Sequence, residues 1–217
     1  MSIIHKDIAA IREDYCKYQL DEKDMLSSPM EQFERWFEQA RHAQVQEPNA
    51  MVLSTIGEDG FPASRVVLLK DIKAGGFSFF TNYDSRKGQE MKVYKKVSLL
   101  FFWPELQRQV RVEGLVEKLP TGDSDEYFAS RPRGSRLGAI ASPQSHVIAD
   151  RSVLEQRVEE VTLANEGKDK IERPVFWGGY LVSPLRMEFW QGRSSRLHDR
   201  LEYIFQQGEW IIQRLAP

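Results

Sequence analysis

Residues 188–200, EFWQGRSSRLHDR, hold the side chains best suited to chemistry in this chain of 217 residues. Phe189 and Trp190 run into Arg193, Arg196, His198 and Arg200, with Asp199 between the last two. A solvated charged turn has no need of a tryptophan, and a core strand has no need of several guanidiniums. A site for a flat aromatic ligand with anionic groups needs both, apolar surface for the ring and fixed donors for phosphate or carboxylate. His198 is a poor core histidine, because its charged neighbours demand partners or water.

Three other clusters are ambiguous singly. Residues 81–88 read TNYDSRKG, with Arg86 and Lys87 in the first turn of a predicted helix. Cations at a helix N-terminus are mildly unfavourable, by about 0.3–1 kcal/mol each, and a bound phosphate reverses that sign. The alternative is a pair of solvated surface cations. In 65–70, RVVLLK, Arg65, Val67 and Leu69 share one face of a strand, and Val66, Leu68 and Lys70 the other. The end cations either snorkel to water or flank a ring lying along the strand. Tyr127 precedes Arg131-Pro132-Arg133-Gly134-Ser135-Arg136, a phosphate cradle or an exposed basic loop.

Periodicity supplies the elements around these clusters. Residues 6–18 read as a short polar helix, a mobile arm. Phe33, Trp36, Phe37 and Ala40 form one apolar stripe on a helix opened by Ser28-Pro29. From residue 51 the period changes to two. Strands are expected at 51–56, 63–71, 77–81, 97–103, 107–119, 177–182, 187–191, 199–206 and 210–215. Helices are expected over 85–95, 121–130 and around Leu154, Val158 and Val161, and a loop over 131–136. Short antiparallel strands with few helices predict a mainly β, α+β barrel rather than a doubly wound sheet. With no repeat or linker, an arm at 1–27 and one domain at 28–217 are expected.

Composition narrows the function. Net charge is −2, with acidic residues gathered in helices and basic ones near strand ends, which argues against a general nucleic-acid binder. Apolar runs are too short to span a bilayer, and the N-terminus lacks a signal-peptide pattern, so a cytoplasmic protein is expected. The single cysteine, Cys16, excludes an internal disulfide, and no histidine pair has helix-ligand spacing, so no metal is expected. GxGxxG, GxxxxGK[ST] and GxSxG motifs are absent.

Together the clusters resemble the pyridoxamine 5′-phosphate oxidases from about residue 30 to the C-terminal RLAP. The matches are RVVLLK, FFTNYDSRKG, the Gln109 strand, SRPR at 130–133, Gln144-Ser145 and EFWQ…RLHDR. Arg136, His146 and the 193–195 insert depart from the family pattern. The resemblance implies a split β-barrel homodimer with FMN in clefts between subunits. It implies FMN contacts from Arg65, Val66, Val67, Leu68, Lys70, Phe80, Thr81, Arg86, Lys87, Gln109, Gln144, Ser145, Trp190 and Arg200. It gives the substrate phosphate to Lys70, Tyr127, Arg131 and Ser135, and the pyridine ring to Arg196 and His198, the implied catalytic pair. The implied reaction oxidises pyridoxamine or pyridoxine 5′-phosphate to pyridoxal 5′-phosphate, by hydride transfer from C4′ to flavin N5. O2 then reoxidises the flavin and yields hydrogen peroxide. Two other readings are a split-barrel flavoprotein reducing a different substrate, which absence of peroxide formation reveals, and a carrier without turnover, which an oxygen-uptake assay decides.

Overall fold

The computed structural model describes residues 10–11 and 13–217. By internal contacts the chain divides into two compact units, neither of them a continuous stretch. One comprises 49–99 and 113–185; the other comprises 1–48, 100–112 and 186–217.

The first unit is built on antiparallel hairpins. Strands β1 (Ala50–Ile56) and β2 (Pro62–Leu68) pair with Leu53 opposite Arg65. Exposure alternates along β2, so Val66 and Leu68 face outward while Arg65 and Val67 are half-buried. The strand expected to continue to Asp71 ends at Leu68, and β3 (Asp71–Lys73) turns back onto β4 (Gly76–Asn82). Helix α1 (Pro29–His42), β5 (Lys96–Trp103) and β6 (Arg108–Lys118) fall where expected. Ser85 caps α2 (Arg86–Val93), its hydroxyl accepting from the Gly88 N–H at 3.4 Å.

Helix α3 (Thr121–Ser130) precedes α4 (Arg133–Ala141), which occupies the stretch expected as loop. Pro132 is its N-cap, and Leu137 and Ala141 form its buried face at i, i+4. Helix α5 (Arg151–Ala164) follows. The two strands expected at 177–182 and 187–191 are one, β7 (Trp177–Gln191), continuous through Pro184. Gly114 in β6 allows close approach to it, since a Cβ there would lie 2.3 Å from the Ser183 carbonyl oxygen.

The second unit carries α1, whose stripe buries Phe33, Trp36 and Ala40. Phe33 lies 4.8 Å from Phe101, and Trp36 meets Phe189 edge-on at 5.1 Å. Strands β8 (Asp199–Gln206) and β9 (Glu209–Arg214) extend the antiparallel pairing from the end of β7. The helix expected over 6–18 is not seen at Ile11 or 13–18, which are irregular; 1–9 and 12, including His5, lie outside the described residues. Among the described residues no helix is long and apolar enough to cross a membrane.

Candidate active site

In the unit of β1–β4, the turn from β4 into α2 gathers cations around hydroxyl and amide oxygens. The Ser85 hydroxyl donates to the Asn82 carbonyl at 2.6 Å, fixing the turn. Gly88 is demanded by packing, because a Cβ there would lie 2.1 Å from the Tyr83 carbonyl oxygen. Lys87 Nζ donates to Gln144 Oε1 at 2.9 Å, Thr81 Oγ1 at 3.2 Å and Ser85 Oγ at 3.4 Å. All three acceptors are neutral. Burial chiefly, and then the Arg65 charge, push the Lys87 pKa below its ordinary value.

Beside it stands a group that sequence reasoning missed. Glu90 is 5% exposed and accepts from Arg65 Nη2 at 3.1 Å, Arg86 Nε at 2.8 Å and the Thr55 hydroxyl. Burial would raise its pKa, but bonds from Thr55 and Arg86 and the charge of Arg65 prevail and lower it. The i, i+4 spacing of Arg86 and Glu90 was its only sequence signal. Arg65 and Arg86 thus share one carboxylate and Lys87 bonds none, beside a helix N-terminus with no acidic residue in its first turn. The excess positive charge fits an anion, as a phosphate-bearing cofactor requires.

The set expected for the substrate phosphate is divided between two cavities. Lys70 and Tyr127 line one of about 250 Å³, beside Phe80. The Phe80 ring stacks on Tyr127 at 3.8 Å and on Trp177 at 5.6 Å. Arg131 and Ser135 line the other, of about 260 Å³, with Asn82 and Gln144. The Arg131 guanidinium lies 4.7 Å from the Trp177 ring, and burial lowers its pKa. Arg131 Nη1 and Arg136 Nε are buried without a hydrogen-bond partner among the described residues. Ser145 is exposed at φ 71°, and the exposed His146 ring bonds the Pro143 carbonyl.

In the other unit, Trp190 closes β7 and lies 4.6 Å from the His198 ring. Tyr15, a second residue missed, meets Trp190 edge-on at 5.9 Å and His198 at the same distance. Gly192 makes room for it, since a Cβ there would sit 2.7 Å from the Tyr15 ring. Ser195 and Arg196 both take left-handed backbone angles, φ 56° and 62°. Such a conformation costs about 1–3 kcal/mol per non-glycine residue and persists only where the surroundings enforce it. Arg196 is exposed, and together with Tyr15, Arg193 and His198 it lines a cavity of about 560 Å³.

Arg200 has partners within its own unit. It grips Glu188 with two bonds, of 2.8 and 3.0 Å, and donates to the Ala216 carbonyl. Glu188, 3% exposed, also accepts from Arg111. Gln109 is half-buried in β6. Its neighbour Arg108 is buried between the Tyr18 and Trp36 rings and bonds Gln191 and Gln39; burial brings its pKa down to about 10. Among the described residues no cluster of potential metal ligands exists.

Two family models match this chain. "Pyridoxamine 5'-phosphate oxidase" covers residues 37–165, and "Pyridoxine 5'-phosphate oxidase C-terminal dimerisation region" covers 177–217. The pyridoxine/pyridoxamine 5′-phosphate oxidase of Herminiimonas arsenicoxydans is 53% identical over 97% of this chain and 99% of its own length. That of Neisseria meningitidis serogroup B is 52% identical over 97% and 100%. Among solved structures, PhzG from Burkholderia lata, in complex with tetrahydrophenazine-1-carboxylic acid, is 31% identical. It covers 94% of this chain and 100% of its own, with TM-score 0.87. A pyridoxamine 5′-phosphate oxidase-related, FMN-binding protein from Nostoc punctiforme shares the fold at 16% identity and TM-score 0.70, covering 89% of this chain and 100% of its own. The split β-barrel of antiparallel strands expected from the sequence is the fold of this chain. With both models matched and close to half or more of all residues shared with full-length oxidases, the chain belongs to the pyridoxamine 5′-phosphate oxidase family.

Proposed function

We propose that this protein is an FMN-dependent oxidase converting pyridoxamine 5′-phosphate and pyridoxine 5′-phosphate to pyridoxal 5′-phosphate. The observation carrying this reading is a pair of donor sets without carboxylate bonds, Lys87 and its neutral acceptors in one, Arg131 Nη1 in the other. Each suits one phosphate, and the reaction requires two phosphorylated molecules. The oxidase names of relatives about half identical over nearly the whole chain support it.

FMN, when bound, would supply the redox chemistry, as acceptor of a hydride from substrate C4′ with O2 as the final oxidant and hydrogen peroxide as its product. Arg65, Thr81, Arg86, Lys87 and Gln144 would hold its phosphate, with Glu90 keeping the two arginines aimed. Val66, Val67, Leu68, Lys70 and Phe80 would hold the rest of the cofactor, and Gln109, Ser145 and Trp190 would contribute further contacts, several of them from the partner subunit. The outward-facing Val66 is 65% exposed, which suits cover by a ring or a second subunit. Arg200 fixes the end of β7 through Glu188. Lys70, Tyr127, Arg131 and Ser135 receive the substrate phosphate, Arg196 orients the pyridine and steadies negative charge at the C4′ oxygen or nitrogen, and His198 assists. The working form is a homodimer with FMN between subunits, in keeping with the matched dimerisation region.

The test is the absorption spectrum of purified protein. The expected outcome is a yellow protein whose flavin band bleaches on anaerobic addition of pyridoxamine 5′-phosphate and returns with air. A colourless protein that gains no flavin on incubation with FMN overturns the reading.

A further inference from the structure

One bond in the 193–198 loop decides a chemical question. The Arg193 backbone N–H donates to His198 Nδ1 at 3.1 Å. An amide N–H only donates, so Nδ1 presents a lone pair, and the proton of the neutral ring resides on Nε2. Nε2 has no bond to any described residue, while the ring lines the cavity shared with Arg196 and Tyr15. Protonating Nδ1 would set two N–H groups against each other and forfeit the bond.

Arg193 is itself held. Its guanidinium donates to Asp199 Oδ2 at 2.8 Å, and the same oxygen accepts from the Leu20 N–H at 3.1 Å. Asp199 Oδ1 accepts from Arg214 at 3.0 Å, and Arg214 makes two 2.8 Å bonds to Glu22. These anchors flank the two left-handed residues, Ser195 and Arg196, which local preference alone would not maintain.

We propose that Arg193 and Asp199 are positioning residues that fix His198 as the neutral Nε2–H tautomer, a hydrogen-bond donor beside Arg196 rather than a base. This rests on the oxidase reading above. Two donors then converge on the substituent at substrate C4′, an arrangement that stabilises negative charge developing there. The charged surroundings agree. Burial chiefly, then the Arg196 charge, push the His198 pKa below its ordinary 6.5, against the opposite pull of Asp199. From the arm, Glu13 and Asp14 line the same cavity, and the Trp190 and Tyr15 rings add no charge.

Nitrogen-15 NMR of the His198 ring in the intact FMN-loaded protein tests the proposal directly. Near neutral pH, Nε2 should be protonated and Nδ1 not; an Nδ1–H tautomer or an imidazolium overturns it. Two near-isosteric variants give a kinetic reading. His198→Gln carries an amide donor near the Nε2 position, His198→Asn near Nδ1, so the Gln variant should keep a kcat about tenfold higher, part of the value of one oriented donor. Equal or reversed values overturn the donor role. Asp199→Asn should retain FMN, let the ring average between tautomers and lower kcat about tenfold; an unchanged ring and kcat remove Asp199 from the scheme. Wild-type turnover of pyridoxamine 5′-phosphate is measured first. If it is absent, the oxidase reading fails while the NMR result still judges the tautomer.

Discussion

The cations of residues 65–87 and those of 193–200 are held by opposite means. Arg65 and Arg86 project from a strand and a helix onto one buried carboxylate, Glu90, and their neighbour Lys87 rests on Thr81 near the end of β4. Arg193 and Arg196 sit on an irregular loop with two left-handed residues, fastened by a backbone N–H and by bonds to segments far away in sequence. The first arrangement is rigid by construction and suits a resident group. The second can be tuned by its anchors, and it carries the residues assigned to turnover. On the proposed reading, regular elements serve binding and an enforced loop serves chemistry.

The sharpest way to break this contrast is Arg196→Leu. Losing orientation and charge stabilisation together should cost about 10²–10³ in kcat/KM, or roughly 3–4 kcal/mol, with FMN content near wild type. Loss of flavin instead would move Arg196 into the cofactor set. Arg86→Ala attacks the other side. One charge-assisted bond contributes about 1.5–3 kcal/mol, so FMN affinity should fall about ten- to more than a hundredfold while riboflavin affinity barely changes. Equal losses for both ligands in a titration would show that Arg86 does not face the phosphate.

Glu90→Gln sharpens the comparison through pH. The folded pKa of Glu90 lies below its ordinary 4.5, so its contribution to stability is fully present above that value and fades as pH falls through the folded one. The variant should be less stable at neutral pH by about 1.5–3 kcal/mol. Its urea midpoint should also fall less steeply on acidification below 4.5. Parallel midpoint curves for variant and parent would show that Glu90 carries no such charge. The smallest effect is expected from Ser85→Ala, which removes the α2 cap at a cost of about 1 kcal/mol and should lower flavin retention modestly.

Most of the strands were legible, because period-two alternation in β1, β2, β5 and β6 is a direct trace of half-burial. Helix α4 was not. Pro132 and Gly134 look like loop punctuation, yet Pro132 stands at the cap, where its missing N–H costs nothing. The two strands expected at 177–182 and 187–191 are likewise one, which runs through Pro184. The cationic clusters were visible by composition, but their counter-charges were not. Glu90 and Glu188 lie in ordinary-looking helix and strand positions, and only folding reveals that each is buried between arginines. Tyr15 escaped notice because an irregular segment has no periodicity to read.

The bonds joining Glu22 and Leu20 to Arg214 and Asp199 span 179 to 194 residues of sequence. During synthesis at roughly 5–20 residues per second, the leading half of this clasp waits on the order of 10–40 s for its partner. Until Arg214 clears the ribosome, Leu20 and Glu22 lack these partners, so the anchoring of the 193–198 loop through Asp199 is completed only after nearly two hundred further residues have been made.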